Sequence, residues 1–77
     1  SRSQAQLVLG QAHFELQNFE EAKKQFRLAA RDDNKRIKKT ANSWIKYAEN
    51  EEIRVKNLAL RRDFIQQSKA KTKAKNS

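Results

Sequence analysis

The sequence predicts an all-α protein in which two short helices form an antiparallel hairpin and a long third helix follows. Apolar residues recur at helical spacing along most of the chain. The 77 residues include one glycine and no proline, whereas an all-β fold would need a turn-forming residue every few positions. No cysteine is present, so we expect this single small domain to be held by packing alone.

The first predicted helix runs from about Ser3 to Gln17. Its apolar side chains fall on two neighbouring stripes, made of Leu9, Ala12 and Leu16 and of Leu7, Gly10 and Phe14. An apolar surface of this width predicts contacts on two sides of the helix. One of these contacts would be to a helix upstream, so we expect the chain to be a segment of a longer array.

The second predicted helix begins at Asn18, whose side chain can cap the free amides of the first turn. Glu21 lies three residues further on and completes the pattern of a capping box. The apolar face of this helix consists of Phe19, Ala22, Phe26, Ala29 and Ala30. Because the connection is so short, the two helices must run antiparallel, and we assign the hairpin to residues 1–34.

The third predicted helix covers residues 35–67, after the turn-forming side chains of residues 32–34. One seam with a period of about 3.5 to 3.6 residues runs along it. Glu51 and Arg62 interrupt the seam, which otherwise consists of Ile37, Ala41, Trp44, Ala48, Val55, Leu58 and Ile65. At 1.5 Å per residue this helix is about 50 Å long, so its distal half needs solvent or a partner. Residues 68–77 lack an apolar face, and we predict a disordered lysine-rich tail.

Positive charge is concentrated in the second half of the chain. The net charge is +9, yet residues 1–33 hold five basic and five acidic side chains. A basic patch opens the third helix and consists of Lys35, Arg36, Lys38 and Lys39. Cations at the N-terminal end of a helix interact unfavourably with its dipole, and each costs about 0.3–1 kcal/mol. Either Asp32 and Asp33 offset this repulsion, or an acidic partner does, such as nucleic acid phosphate or an acidic protein surface.

A set of small and aromatic residues in the first half of the chain has a recurring spacing. It comprises a Leu-Gly pair, a pair of ring residues, an opening aromatic and an Ala-aromatic-Ala series: Leu9, Gly10, His13, Phe14, Phe19, Ala22, Phe26 and Ala29. This pattern over residues 4–34 resembles one tetratricopeptide repeat. The family's early aromatic, loop glycine and closing proline are replaced by Gln6, Gln17 and Asn34.

The resemblance implies a structure as well as a function. Gly10 and Ala22 would let the two helices approach closely, and Phe26 would fill the space beside them. The third helix resembles the capping helix that follows the last repeat, as at the C-terminal end of longer bacterial repeat proteins. Proteins of this family are scaffolds and adaptors, so the resemblance implies a protein or peptide partner.

In this family the first helix lines the groove that binds the partner. The resemblance therefore implies partner contacts by Gln4, Leu7, Val8, Gln11, Phe14 and Glu15. The cationic clamp of some members is replaced by Leu7, Val8 and Gln11, so a peptide would be held by apolar and amide contacts. Alternatively, Leu7 and Val8 cover an upstream helix. Self-association through Val55, Leu58 and Ile65 is a further alternative.

The sequence offers little support for catalysis. His13 is the only histidine, and we interpret it as a packing residue because no second ligand or triad partner accompanies it. Glu51 and Glu52 are adjacent, so they point to different helix faces and make a poor acid-base pair. A single glycine cannot build a phosphate-binding loop. We expect no enzyme activity, no metal and no cofactor.

The alternative function is a small basic nucleic-acid-binding module that uses the basic patch and the lysine-rich tail. Trp44 and Tyr47 lie nearby and could stack on bases. However, Trp44 shares its stripe with Ala41 and Ala48, which favours a core position. No apolar run approaches the length of a membrane span, so we expect no membrane insertion.

Overall fold

The computed structural model describes the backbone of residues 1–76 and the side chains of residues 1–72. It confirms the predicted all-α fold of two short helices followed by a long one. The helices are α1 (Arg2–Glu15), α2 (Phe19–Ala29) and α3 (Lys35–Asn76). The molecule measures 65 × 16 × 12 Å, so the hairpin of α1 and α2 packs against one end of a rod.

The contact between α1 and α2 depends on Gly10. A Cβ atom on Gly10 would lie 2.5 Å from Cε1 and 2.7 Å from Cδ1 of Phe26, well inside van der Waals contact. Phe26 and Ala22 are both completely buried. The ring of Phe26 thus occupies the space that the missing side chain leaves, and the predicted close approach of the two helices is confirmed.

Helix α3 covers the hairpin through a face that begins with two buried alanines. Ala41 and Ala48 are fully buried, and between them the indole of Trp44 stacks on Phe26 with ring centroids 5.3 Å apart and planes 19° from parallel. Ile45 packs beside it against the same cluster. Trp44 therefore belongs to the core, as predicted, although part of its ring reaches the surface.

The connection between α1 and α2 is closed by a Schellman motif. Gln17 has a φ of 62°, in the left-handed region, and its amide donates to the carbonyl of Phe14 at 2.9 Å. The amide of Asn18 donates to the carbonyl of His13 at 2.8 Å. These are the two hydrogen bonds that define the motif. They also explain why α1 ends before Gln17.

The capping box predicted at Asn18 and Glu21 is wrong. Asn18 has a φ of −86° and a ψ of 71°, and its side chain makes no capping hydrogen bond. A capping side chain normally requires an extended backbone at this position. Here the backbone of Asn18 is already engaged in closing α1, and its ψ differs from the extended value.

Gln17 offers a stabilising substitution. A side chain in the left-handed region costs roughly 1–2 kcal/mol, whereas glycine adopts it without steric penalty. We therefore expect Gln17→Gly to raise the free energy of unfolding by about 1 kcal/mol, measured by thermal unfolding with Trp44 fluorescence. The control is Gln25→Gly in the interior of α2, which should lower it by a similar amount. A loss of stability in Gln17→Gly would contradict the backbone geometry.

Helix α3 is longer than the sequence predicts. It continues beyond Gln67 to Asn76, so residues 68–76 are helical where a disordered tail was expected. Alanine, lysine and glutamine have high helix propensity, and an existing helix adds one hydrogen bond for each residue it fixes. The hydroxyl of Thr72 also donates to the carbonyl of Ser68 at 2.9 Å. Residue 77, the last of the predicted tail, lies outside the described residues.

Candidate functional site

A groove of about 610 Å³ lies between α1 and α3. Residues from the end of α1 form one wall, and residues from the first four turns of α3 form the other. The lining residues are Gln11, Phe14 and Glu15 of α1 and Lys39, Thr40, Ser43, Trp44 and Tyr47 of α3. Its floor is largely aromatic and its rim is polar, a combination found in ligand-binding clefts.

Three aromatic rings form the floor of the groove. The centroid of Phe14 lies 5.7 Å from that of Trp44 and 5.2 Å from that of Tyr47. Trp44 and Tyr47 meet edge to face at 5.8 Å. Because each ring contacts the other two, and two of them also pack against the core, the floor is formed before any ligand arrives. The Tyr47 residue remains 55% exposed and provides the accessible apolar surface.

Helical spacing explains why these side chains meet. On α3, Thr40, Ser43 and Tyr47 are three and four residues apart, so they share one face. On α1, Gln11 and Phe14 are three apart and meet the same face of α3. The groove thus follows from the rotation of α3 about its own axis, which the seam through Ala41, Trp44 and Ala48 fixes.

The polar rim of the groove carries both charges and neutral hydrogen-bonding groups. Glu15 stands on the α1 side and Lys39 on the α3 side. Gln11, Thr40 and Ser43 add donors and acceptors between them. An extended peptide could therefore place an apolar side chain on the floor while its backbone bonds to the rim.

Of the six partner-binding residues predicted on α1, three line the groove and three do not. Gln11, Phe14 and Glu15 line the groove. Leu7 packs against the core instead, and Val8 is 66% exposed. Gln4 is also exposed, and its backbone amide and side chain take part in capping the start of α1. Among the described residues, the first turns of α1 thus contribute nothing to this groove.

The sequence prediction missed most of the α3 wall. Thr40 and Ser43 were not considered, and Tyr47 was considered only as a surface for nucleic acid bases. The signal that could have found them is their spacing, which puts small polar residues and an aromatic on one helix face directly beside the Trp44 stripe.

A basic surface adjoins the groove on α3. It is lined by Lys35, Lys38, Lys39, Asn42, Ser43 and Lys46. Three of the four residues of the predicted basic patch lie on it, and the fourth, Arg36, is exposed outside it. Lys39 and Ser43 belong to both surfaces, so the positive charge extends to the rim of the aromatic groove.

One of the two acidic side chains before α3, that of Asp32, accepts two hydrogen bonds. The hydroxyl of Ser3 donates to Oδ2 of Asp32 at 2.6 Å, and the amide of Asn34 donates to Oδ1 at 2.8 Å. These two bonds, together with the charge of Lys38, hold the pKa of Asp32 below its ordinary value. Asp32 therefore offsets part of the positive charge. Among the described residues, no ion pair within 4.0 Å involves the basic patch.

The bond between Ser3 and Asp32 predicts a pH dependence. Because the pKa of Asp32 is lower in the folded chain, its carboxylate stabilises the fold above about pH 4. This contribution is lost as the pH falls through the folded pKa. We expect Ser3→Ala to destabilise the protein most at pH 7 and least near pH 2, measured by urea unfolding. Ser68→Ala, at an exposed position, is the control and should show no such trend. An equal cost of Ser3→Ala at both pH values would contradict this coupling.

Of the remaining polar side chains, Lys23, Glu51 and Glu52 form salt bridges, and His13 has a buried nitrogen without a hydrogen-bond partner. Lys23 is almost buried and bridges Glu20 at 3.0 Å and Glu52 at 3.1 Å, which links α2 to α3. Glu51 pairs with Arg54 instead, so the two adjacent glutamates serve different contacts. Nδ1 of His13 is buried without a hydrogen-bond partner. The described residues contain no group of three or more acidic or histidine side chains able to hold a metal ion.

Within the described part of the chain, no helix is both long enough and apolar enough to cross a membrane. Comparison of the chain with protein-family models, with curated proteins and with solved structures finds no match. The resemblance to a tetratricopeptide repeat accordingly stays a prediction from the sequence.

Proposed function

We propose that this chain is a protein-protein interaction module, the terminal tetratricopeptide-type segment of a scaffold or adaptor, without catalytic activity. The observation that carries the proposal is the groove with a preformed floor of three rings. A half-exposed tyrosine held between two packed aromatic rings offers apolar contact area with little conformational entropy to lose. The close contact at Gly10 supports the assignment of the hairpin to this repeat type.

The groove favours a short extended peptide with an apolar side chain. That side chain would lie on Tyr47, the most exposed of the three rings, and on the ring of Phe14 beside it. Gln11 and Ser43 would bond to the peptide backbone across the two walls. Lys39 would attract an acidic group on the α3 side, so we expect peptides that carry an acidic residue near the apolar one.

Selection from a random peptide library displayed on phage tests this proposal. We expect the full chain to enrich peptides that share an apolar residue, and Tyr47→Ala to weaken the binding of the selected peptides about tenfold or more. Leu60→Ala is the matched control, because Leu60 is 67% exposed on α3 away from the groove. Circular dichroism would verify that both variants keep their helices. Selected peptides that bind Tyr47→Ala as well as the parent would refute the groove as the site.

A second candidate function is nucleic-acid binding, which is favoured by the basic surface beside the exposed ring of Tyr47. Phosphates would contact the lysines, and a base would stack on the tyrosine. The test is the affinity of the full chain for a single-stranded DNA oligonucleotide at several salt concentrations. A variant with alanine at Lys35, Arg36, Lys38 and Lys39 should bind more weakly and with a smaller salt dependence. Unchanged binding by this variant would exclude the second candidate.

A further inference from the structure

The distal half of α3 extends beyond the hairpin. Val55 is the last residue of α3 that is partly buried, and every described side chain from residue 56 to residue 72 is exposed. Leu58 and Ile65 are each 45% exposed. An amphipathic helix gains most of its stability by packing its apolar face, and no described residue covers the side chains of Leu58 and Ile65.

The apolar residues beyond the hairpin continue the face that already binds it. Trp44 and Ala48 pack against the hairpin, and the same seam continues through Val55, Leu58 and Ile65, with Arg62 between the last two. We call the last three residues the distal stripe. Because the stripe begins where the hairpin ends, a partner lying on it would extend an existing helix-helix interface along the rod.

The charges around the distal stripe are almost all positive. Residues 53–72 carry a single acidic side chain, Asp63, against the basic side chains of Arg54, Lys56, Arg61, Arg62, Lys69 and Lys71. The two glutamates that precede this segment are already paired with Arg54 and Lys23. The free charge beside the stripe therefore attracts an acidic partner and repels a basic one.

A second copy of this chain fits the distal stripe poorly. Its own positive charge would face the same cations. In a parallel pair, the two hairpins would occupy the same space between the helices. In an antiparallel pair, Arg61, Arg62 and Lys69 of each copy would lie among the same residues of the other.

We propose that the distal stripe binds an acidic amphipathic helix from a different protein. The helix would lay its apolar face on Leu58 and Ile65, with carboxylates directed at Arg61, Arg62 and Lys69. The free segment from residue 56 to residue 72 is about 25 Å long, which matches four to five turns of a partner helix. This surface is separate from the aromatic groove and independent of the function proposed for it.

Binding of a designed peptide to the full chain tests the proposal. The probe is a fluorescently labelled helical peptide of three heptads. It carries leucine at the a and d positions and glutamate at the e and g positions. The comparison peptide has the same sequence with lysine at the e and g positions. We expect the glutamate peptide to bind at least about tenfold more tightly, and to lose affinity as salt is added. The double variant Leu58→Ser and Ile65→Ser should lose about tenfold or more in affinity. Leu60→Ser, at a 67% exposed position on another face of α3, should bind like the parent.

Several results would overturn the proposal. If the lysine peptide binds as tightly as the glutamate peptide, charge has no role in the binding. If Leu60→Ser loses as much affinity for the glutamate peptide as the double variant, the distal stripe is not the binding surface. Sedimentation that shows a dimer dependent on Leu58 and Ile65 would identify a second copy as the occupant. Binding to phosphatidylserine vesicles that needs these two residues, without binding of the glutamate peptide, would identify a membrane surface instead.

Discussion

Replacing Gly10 with leucine should abolish the packed hairpin. The new Cβ would lie 2.5 Å from Cε1 of Phe26, and that ring cannot move aside because it is fully buried and stacked on Trp44. Overpacking of a core costs about 1–3 kcal/mol and occasionally more. A domain of this size has only about 3–5 kcal/mol from its core. We therefore expect the cooperative unfolding transition seen by Trp44 fluorescence to disappear or to shift strongly to lower temperature.

The control for this experiment is Ala12→Leu on the exposed face of the same helix. It adds the same side chain to α1 and changes helix propensity little. We expect its transition to match that of the parent within experimental error. An unchanged transition in Gly10→Leu would contradict the close contact between α1 and α2.

Phe26→Ala should cause the largest loss of stability among single truncations of the core. Phe26 is the only large side chain in the described part of the structure that is fully buried, and it contacts α1 at Gly10 and α3 at Trp44. Removal of a buried phenylalanine costs about 3–5 kcal/mol, from lost burial together with the cavity. We expect Trp44 emission to shift to longer wavelength as the indole loses its stacking partner. Urea unfolding would measure the change in free energy.

Phe64→Ala is the matched control, because Phe64 is 70% exposed on the distal half of α3. It should change the free energy of unfolding by less than about 0.5 kcal/mol.

The combination of Gly10→Leu with Phe26→Ala provides a stricter test of the contact between the two positions. The leucine can enter the space of the missing ring, so the double variant should be more stable than the sum of the two losses predicts. Strict additivity would show that the two positions do not share one space.

The hairpin could be predicted in detail because its information is local. Small residues at Gly10 and Ala22 and a large one at Phe26 match the spacing of a tetratricopeptide repeat, and this resemblance implied the close helix contact that the structure shows. The turn was less predictable. Asn18 has the side chain of an N-cap, but the same residue also closes α1 in the Schellman motif, and the two roles require different backbone angles.

Of the two walls of the candidate groove, only the α1 wall could be predicted from the sequence. Phe14 and Gln11 were predicted because they lie on α1, to which the resemblance to a tetratricopeptide repeat assigns the partner contacts. The opposite wall depends on how α3 rotates against the hairpin, and this rotation is decided by long-range packing of Trp44 on Phe26. The extent of α3 was likewise missed, since composition and charge predicted disorder, whereas helix propagation from a packed segment operates beyond residue 67.

Because α3 is unbroken, it holds the aromatic groove and the distal stripe at a fixed distance from each other. Tyr47 in the aromatic groove and Ile65 in the distal stripe are 18 residues apart, which at 3.6 residues per turn is five full turns, so both lie on the same side of the rod. The axial distance between them is about 27 Å. A single partner with a short peptide and an acidic helix joined by about eight extended residues could occupy both surfaces at once. Such bivalent binding would gain avidity from the high effective concentration of the second segment, and it would be selective for partners with that spacing.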